Sequence, residues 1–204
     1  MRRTKEEAEQ TRQALLDAAL AAFSDKGYQA ARLQEIAEMA GTTRGAIYHH
    51  FENKADLYKQ LLEEASQQGN LALQTAVVEG GSFADICRRI FVTTWETLAG
   101  DKRFRQIMAL SLFKTGVSPE LAQIENERLQ NATAVVDDIA AYMQVGIDNG
   151  DVRADLKPDT LARAFLAFQN GVALLWLANG EFFSLADEAP AMADIFLQGI
   201  VRSP

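Results

Sequence analysis

Residues 33–51 read LQEIAEMAGTTRGAIYHHF. Leu33, Ile36, Ala37 and Ala40 follow the spacing i, i+3, i+4, i+7, so they share one face of a short helix. Gly41 permits the left-handed backbone of a sharp turn. Thr42 or Thr43 then supplies a side-chain oxygen to cap a second helix. Ile47 and Phe51, four apart, point back at the first helix. Two short helices, a glycine in the turn and an apolar lock between them make a helix-turn-helix.

The second helix reads as the one that enters a DNA groove. At about 100° per residue, Gly45 and His49 lie opposite the Ile47/Phe51 face and Tyr48 lies on the flank. Gly45 lets another backbone approach closely. Thr43 and Arg44 stand at the helix start, where unpaired N–H groups and the helix dipole favour phosphate. Arg44 has the reach for guanine O6 and N7. Tyr48 suits a phosphate or a thymine methyl, and Lys54 is expected to clamp a phosphate beside the groove. The expected DNA-contacting set also takes in Arg32, Thr42 and His49. His49 and His50 are not a metal pair, because adjacent helical residues diverge by about 100°. His50 and the Ile47/Phe51 pair are read as structural.

Working outward, the whole chain carries helical spacing, and no stretch alternates as a strand does. A first helix is expected over residues 6–26, with Gly27 as its left-handed stop and Tyr28 as the apolar partner. Asn53 caps a long helix over 54–78, and Ser82 caps the next, to about residue 99. Asp101 is expected to cap a helix ending near Gly116. Ser118-Pro119 starts one that stops at Gly150. Pro158 opens another, ending near Gly180, and Ser184 or Asp187 opens the last, to about Val201. The expected fold is all-α with about nine helices. The expected division is a head over 1–53 and a body over 54–204.

Gly27–Leu61, GYQAARLQEIAEMAGTTRGAIYHHFENKADLYKQL, resembles the DNA-binding head of the TetR family of bacterial repressors. The matching positions are Gly27, Ile36, Ala37, Ala40-Gly41, Thr43, Gly45, Tyr48, His50-Phe51, Lys54 and Leu57. TRGAIY followed by HF is particularly similar to regulators of multidrug efflux pumps, the AcrR-like group of that family. The resemblance implies a homodimer, a palindromic double-stranded operator and a small-molecule effector that releases the DNA. Two positions depart from the pattern. Ala31 and Arg32 stand where the family usually has Thr or Ser, so the expected cap of the first motif helix is missing. Thr42 replaces a common apolar residue in the turn.

Composition agrees with an ordinary globular chain. The 204 residues are 48% apolar and 24% charged, with a single cysteine, Cys87, so no intrachain disulfide can form. Net charge is −8, unevenly divided: residues 1–60 hold 9 Lys+Arg and 9 Asp+Glu, so the acidic excess lies beyond them. An acidic body repels DNA and leaves DNA contact to the neutral head. No apolar run reaches the roughly 18 residues of a membrane span, and the charged N-terminus lacks the apolar stretch of a signal peptide. A cytoplasmic protein without a membrane partner is expected.

The body is read as pocket and dimer seam. Phe91, Trp95, Glu96, Met108, Phe113, Phe168, Gln169 and Trp176 are the candidate effector-binding residues, an aromatic surplus with a few polar groups. For any single aromatic, the core is the simpler role. The apolar helices over 158–179 and 187–201 are expected to pair with those of a second chain in a four-helix seam. In the second, Met192, Ile195, Phe196, Gly199 and Ile200 form the expected stripe, which Leu197 and Val201 leave.

No cofactor and no metal is expected. Asp148–Asp155 fails the calcium-loop pattern, and Cys87 has no activating neighbour in sequence. No nucleophile constellation appears, so an enzyme is not expected. The alternative reading is a small-molecule-binding or catalytic helical protein with an incidental head.

Overall fold

The computed structural model describes residues 5–114, 118–179 and 182–201, without the side chains of Ala72 and Lys114. Nine α-helices occur among the described residues: α1 Lys5–Ala30, α2 Leu33–Met39, α3 Arg44–His50, α4 Lys54–Val78, α5 Phe83–Gly100, α6 Lys102–Ala109, α7 Ala122–Asp148, α8 Pro158–Ala178 and α9 Leu185–Ile200. One isolated antiparallel bridge, Val152 to Val201, is the single β contact among them.

The helix ends follow local chemistry. Gly27 breaks the helical backbone of α1 at φ 77, and Tyr28 beyond it is buried. Ser82 and Asp85 form a reciprocal capping box at the start of α5. Ser184 caps α9 through the Asp187 N–H. At the end of α7, Gly150 donates to the Ile147 carbonyl and Asp151 to Gly146, the paired bonds of a glycine stop.

Two boundaries differ from the sequence reading. Asp101 closes α5 and stands directly before α6, which starts at Lys102. The α6 helix is short and passes into a π-helical turn, Leu110–Lys114. Ser118-Pro119 opens a 3-10 turn, Pro119–Leu121, ahead of α7, and the Ser118 side chain makes no cap. The expected helix ends at Gly116 and Gly180 lie outside the described residues.

The chain divides into two compact units. One joins residues 1–67 with 103–124, and the other joins 68–102 with 125–204. This is a different partition from one at 53/54: the first unit also takes the N-terminal part of α4 and the segment from α6 to the start of α7. The core of the first unit centres on Phe23, Tyr28 and Tyr58, whose rings lie 5.5–6.5 Å apart. Arg103 ties α6 to it through Asp17 on α1 and Glu64 on α4.

The second unit packs α9 along α5, with α8 against both. Phe91 sits in the middle, 4.2 Å from the Phe165 ring and 5.2 Å from those of Trp95 and Phe196. The buried face of α9 is Leu185, Ala189, Ala193, Leu197 and Ile200. Leu197 therefore points inward and Ile195 outward, a rotation from the expected stripe. A helix with apolar residues on both sides cannot show from sequence which side its own chain takes.

By length and composition α8 suffices to cross a membrane, and only 28% of its most apolar stretch is buried within the chain.

Gly146 marks the tightest approach in the second unit. A Cβ there would lie 2.7 Å from both Phe83 and Val152. Gly146→Ala is expected to lower the unfolding free energy by about 1–3 kcal/mol through overpacking, read by denaturant titration.

Candidate nucleic-acid interface

The first unit builds its surface on the α2–α3 turn. Three backbone bonds close the end of α2: Ala40 N–H to Ile36 O, Gly41 N–H to Glu38 O and Thr42 N–H to Ala37 O, all 2.9–3.0 Å. Gly41 holds φ 65, where a side chain would be strained. Thr43, rather than Thr42, caps α3, accepting the Ala46 N–H at 3.3 Å. Ile36, Ala37, Ile47 and Phe51 are buried and fix the angle between the two helices.

Against that frame α3 presents its other side. Thr43, Arg44, Gly45, Tyr48 and His49 are exposed, and Thr42 and His50 are half-buried. Arg44 donates to the Tyr48 hydroxyl at 3.1 Å and lies 5.8 Å from its ring centre. Arg32 is exposed at the start of α2, where no side chain caps the helix. Arg32, Arg44, Asn53 and Lys54 line one open hollow of about 710 Å3, with Glu120 on its edge.

Gly45 has room. A Cβ there would meet nothing nearer than Thr43 Oγ1 at 3.8 Å, an ordinary contact. No packing in the chain requires glycine at this helical position, where alanine would be more stable.

Lys54 has a structural task. Its ammonium donates to the carbonyls of Tyr28, Gln29 and Ala31 at 3.0–3.3 Å and lies 4.4 Å over the Tyr28 ring. A lysine has three N–H donors, so all are taken. It thereby closes the carbonyl end of α1. The residue expected to clamp a phosphate thus also has a structural role within the chain. Sequence reading missed this because the carbonyls come from a segment 23–26 positions away. Tyr28 in turn donates to Glu120 at 2.9 Å. Burial first, then that bond, raises its phenol above the ordinary range.

The second unit contains an apolar cavity of about 350 Å3 between α4, α5, α7 and α8. Of the eight candidate effector residues, only Gln169 lines it. Phe91 and Trp95 are fully buried in the aromatic core, with the Trp95 indole N–H donating to the Gln169 carbonyl at 3.2 Å. Trp176 is buried and donates to the Phe183 carbonyl, Phe168 is half-buried against Phe91, and Glu96 is exposed. Met108 and Phe113 belong to the first unit. The sequence reading missed Cys87, Ile90, Thr94 and Tyr142 on the wall. Their helical spacing was visible, but the facing helices were not. Burial pushes the Cys87 thiol up to about 12, so at neutral pH it is an uncharged part of that wall.

Two family descriptions match the chain. Residues 15–61 match the bacterial regulatory proteins of the tetR family, and residues 84–201 match the C-terminal region of MAATS-type transcriptional repressors. The chain is 31% identical over 204 residues to the HTH-type transcriptional regulator AcrR of Shigella flexneri, covering all of this chain and 95% of that one. It is 30% identical over 208 residues to TtgR of Pseudomonas putida, covering all of this chain and 98% of that one. The crystal structure of NalD, the secondary repressor of the MexAB-OprM multidrug efflux pump in Pseudomonas aeruginosa, shares the fold. Its TM-score is 0.83 at 24% identity, covering 98% of this chain and all of that one.

Two substitutions separate structural from surface roles here. Lys54→Met is expected to lower the unfolding free energy by about 2 kcal/mol, since it removes charge-assisted bonds to three carbonyls. Gly45→Ala is expected to raise it by about 0.4–1 kcal/mol, because alanine fits the helix and narrows the unfolded ensemble. Chemical denaturation of both variants checks the pair.

Proposed function

The chain belongs to the TetR family of DNA-binding transcriptional regulators, and from that premise we propose that it is a repressor released from a palindromic operator by a small apolar effector. The observation that carries the DNA contact is the exposed α3 face: Arg44, Tyr48 and His49 around a glycine that the chain's own packing does not need. Arg32, Thr42 and Thr43 extend this surface. Lys54 supports it from behind, holding the end of α1 in place. DNA contact lies in residues 1–53, and effector binding and dimerisation lie in 54–204.

Two copies present two α3 helices to successive major grooves, roughly 34–36 Å apart if the half-sites are one turn apart. The exposed apolar residues of α8 and α9 supply the seam, with Leu174 and Leu175 on one and Ile195, 67% exposed, on the other. The cavity of the second unit receives the effector. Its wall includes Gly69, Asn70, Leu73 and Val77 of α4, the same continuous helix that begins at Lys54 in the first unit. A ligand that shifts this helix has a covalent route to the head. Control of an efflux pump by a regulator in the cytoplasm is the physiological setting this reading favours, since the structural neighbour NalD is a repressor of such a pump.

The test is a gel shift against the DNA upstream of the protein's own gene. Gly45→Val is expected to weaken operator binding by about 1–3 kcal/mol, with dimer mass and secondary structure unchanged. Wild-type affinity in that variant would remove α3 from the groove.

A further inference from the structure

The cavity of the second unit has a charge asymmetry that neither its size nor its apolar wall requires. Sixteen residues line it, and none is Lys, Arg or His. Asp138 on α7 is the one charged residue among them. It is exposed, so it stands at the mouth, and it makes no ion pair among the described residues. One turn further along α7, Tyr142 lines the same cavity. Its ring lies flat against Phe83, 5.0 Å between centres and 15° between planes. Burial first, then Cys87 and Asp151, push its phenol up to about 12, which keeps the ring neutral. The surrounding unit holds 16 Asp+Glu against 8 Lys+Arg, a net charge of −8, while the other unit holds 12 of each. The local and the wider field at the mouth therefore have the same sign.

An unpaired carboxylate beside low-dielectric walls attracts a cation and repels an anion more strongly than it would in open water. The neighbouring aromatic ring adds attraction for a cation. The wall has no Arg or Lys to pair with an anionic head. The interior, with Ile90, Met143, Phe165 and Leu166, takes an apolar body. We infer that Asp138 is a specificity-determining residue of this cavity, and that the ligand is an amphiphile with an apolar body inside and a cationic head at the Asp138 carboxylate. The inference rests on the effector reading above and adds the sign of the ligand's charge.

Three probes sharing one ten-carbon chain test it: decyltrimethylammonium, decanoate and 1-decanol, each below its micelle concentration at pH 7 and low salt. Calorimetric titration of the full chain is expected to show the cation binding about tenfold or more tightly than the anion, a difference of about 1.4 kcal/mol, with 1-decanol between them. Asp138→Asn, a surface change that leaves the core intact, is expected to bring the two ions within about threefold and to leave 1-decanol unchanged. Equal binding of the two ions by the wild type, or an unaltered preference in Asp138→Asn, overturns the inference. Binding of 1-decanol in that case leaves the effector reading standing. If none of the three probes binds, the inference and the effector reading fall together.

Discussion

The closed turn between α2 and α3 is the constraint on which the head depends. Three backbone bonds and a left-handed Gly41 end one helix within a single turn, and Thr43 starts the next. Ile36 and Ala37 then meet Ile47 and Phe51 in a buried lock. With one face of α3 committed to that lock, the opposite face is left for solvent and for whatever docks there. Side chains on so short a helix hold a fixed presentation only because the lock is tight. An isolated seven-residue helix would not persist in water. Lys54 serves the same end from outside the motif, by satisfying three carbonyls where α1 stops.

Much of this was legible in the sequence because it is local. The motif helices, the Gly41 turn, the capping role of Ser82 and the proline start of α8 all follow from residues within a few positions of one another. The long-range partners were not legible. Lys54 reads as a free cation until the carbonyls of Tyr28, Gln29 and Ala31 are brought to it. The aromatic surplus reads equally well as pocket or core, and Phe91 and Trp95 went to the core. The polar groups of the cavity wall came from four different helices, so no single window of sequence contained them. The rotation of α9 failed for a related reason: its apolar residues exceed one face, and only the packed neighbour selects among them.

The two units divide the physical labour by charge. The first is electrically balanced and exposes Arg32 and Arg44 beside α3, where a phosphate backbone requires cations. The second carries the acidic excess and a cavity without a cation. Neither feature serves the other locally. A regulator needs them coupled, and α4 and α7 each have residues in both units. By linkage, a ligand that favours a low-affinity arrangement of the heads must itself bind less tightly when DNA is present.

That reciprocity gives the most direct test of the account. Anisotropy of a labelled DNA fragment from upstream of the gene reports operator affinity, with and without saturating decyltrimethylammonium. Calorimetry of the same probe, with and without the fragment, closes the cycle. Operator affinity is expected to fall by about 5–150-fold, and probe affinity to fall by the same factor on DNA. A probe that occupies the cavity and leaves operator affinity unchanged would contradict it.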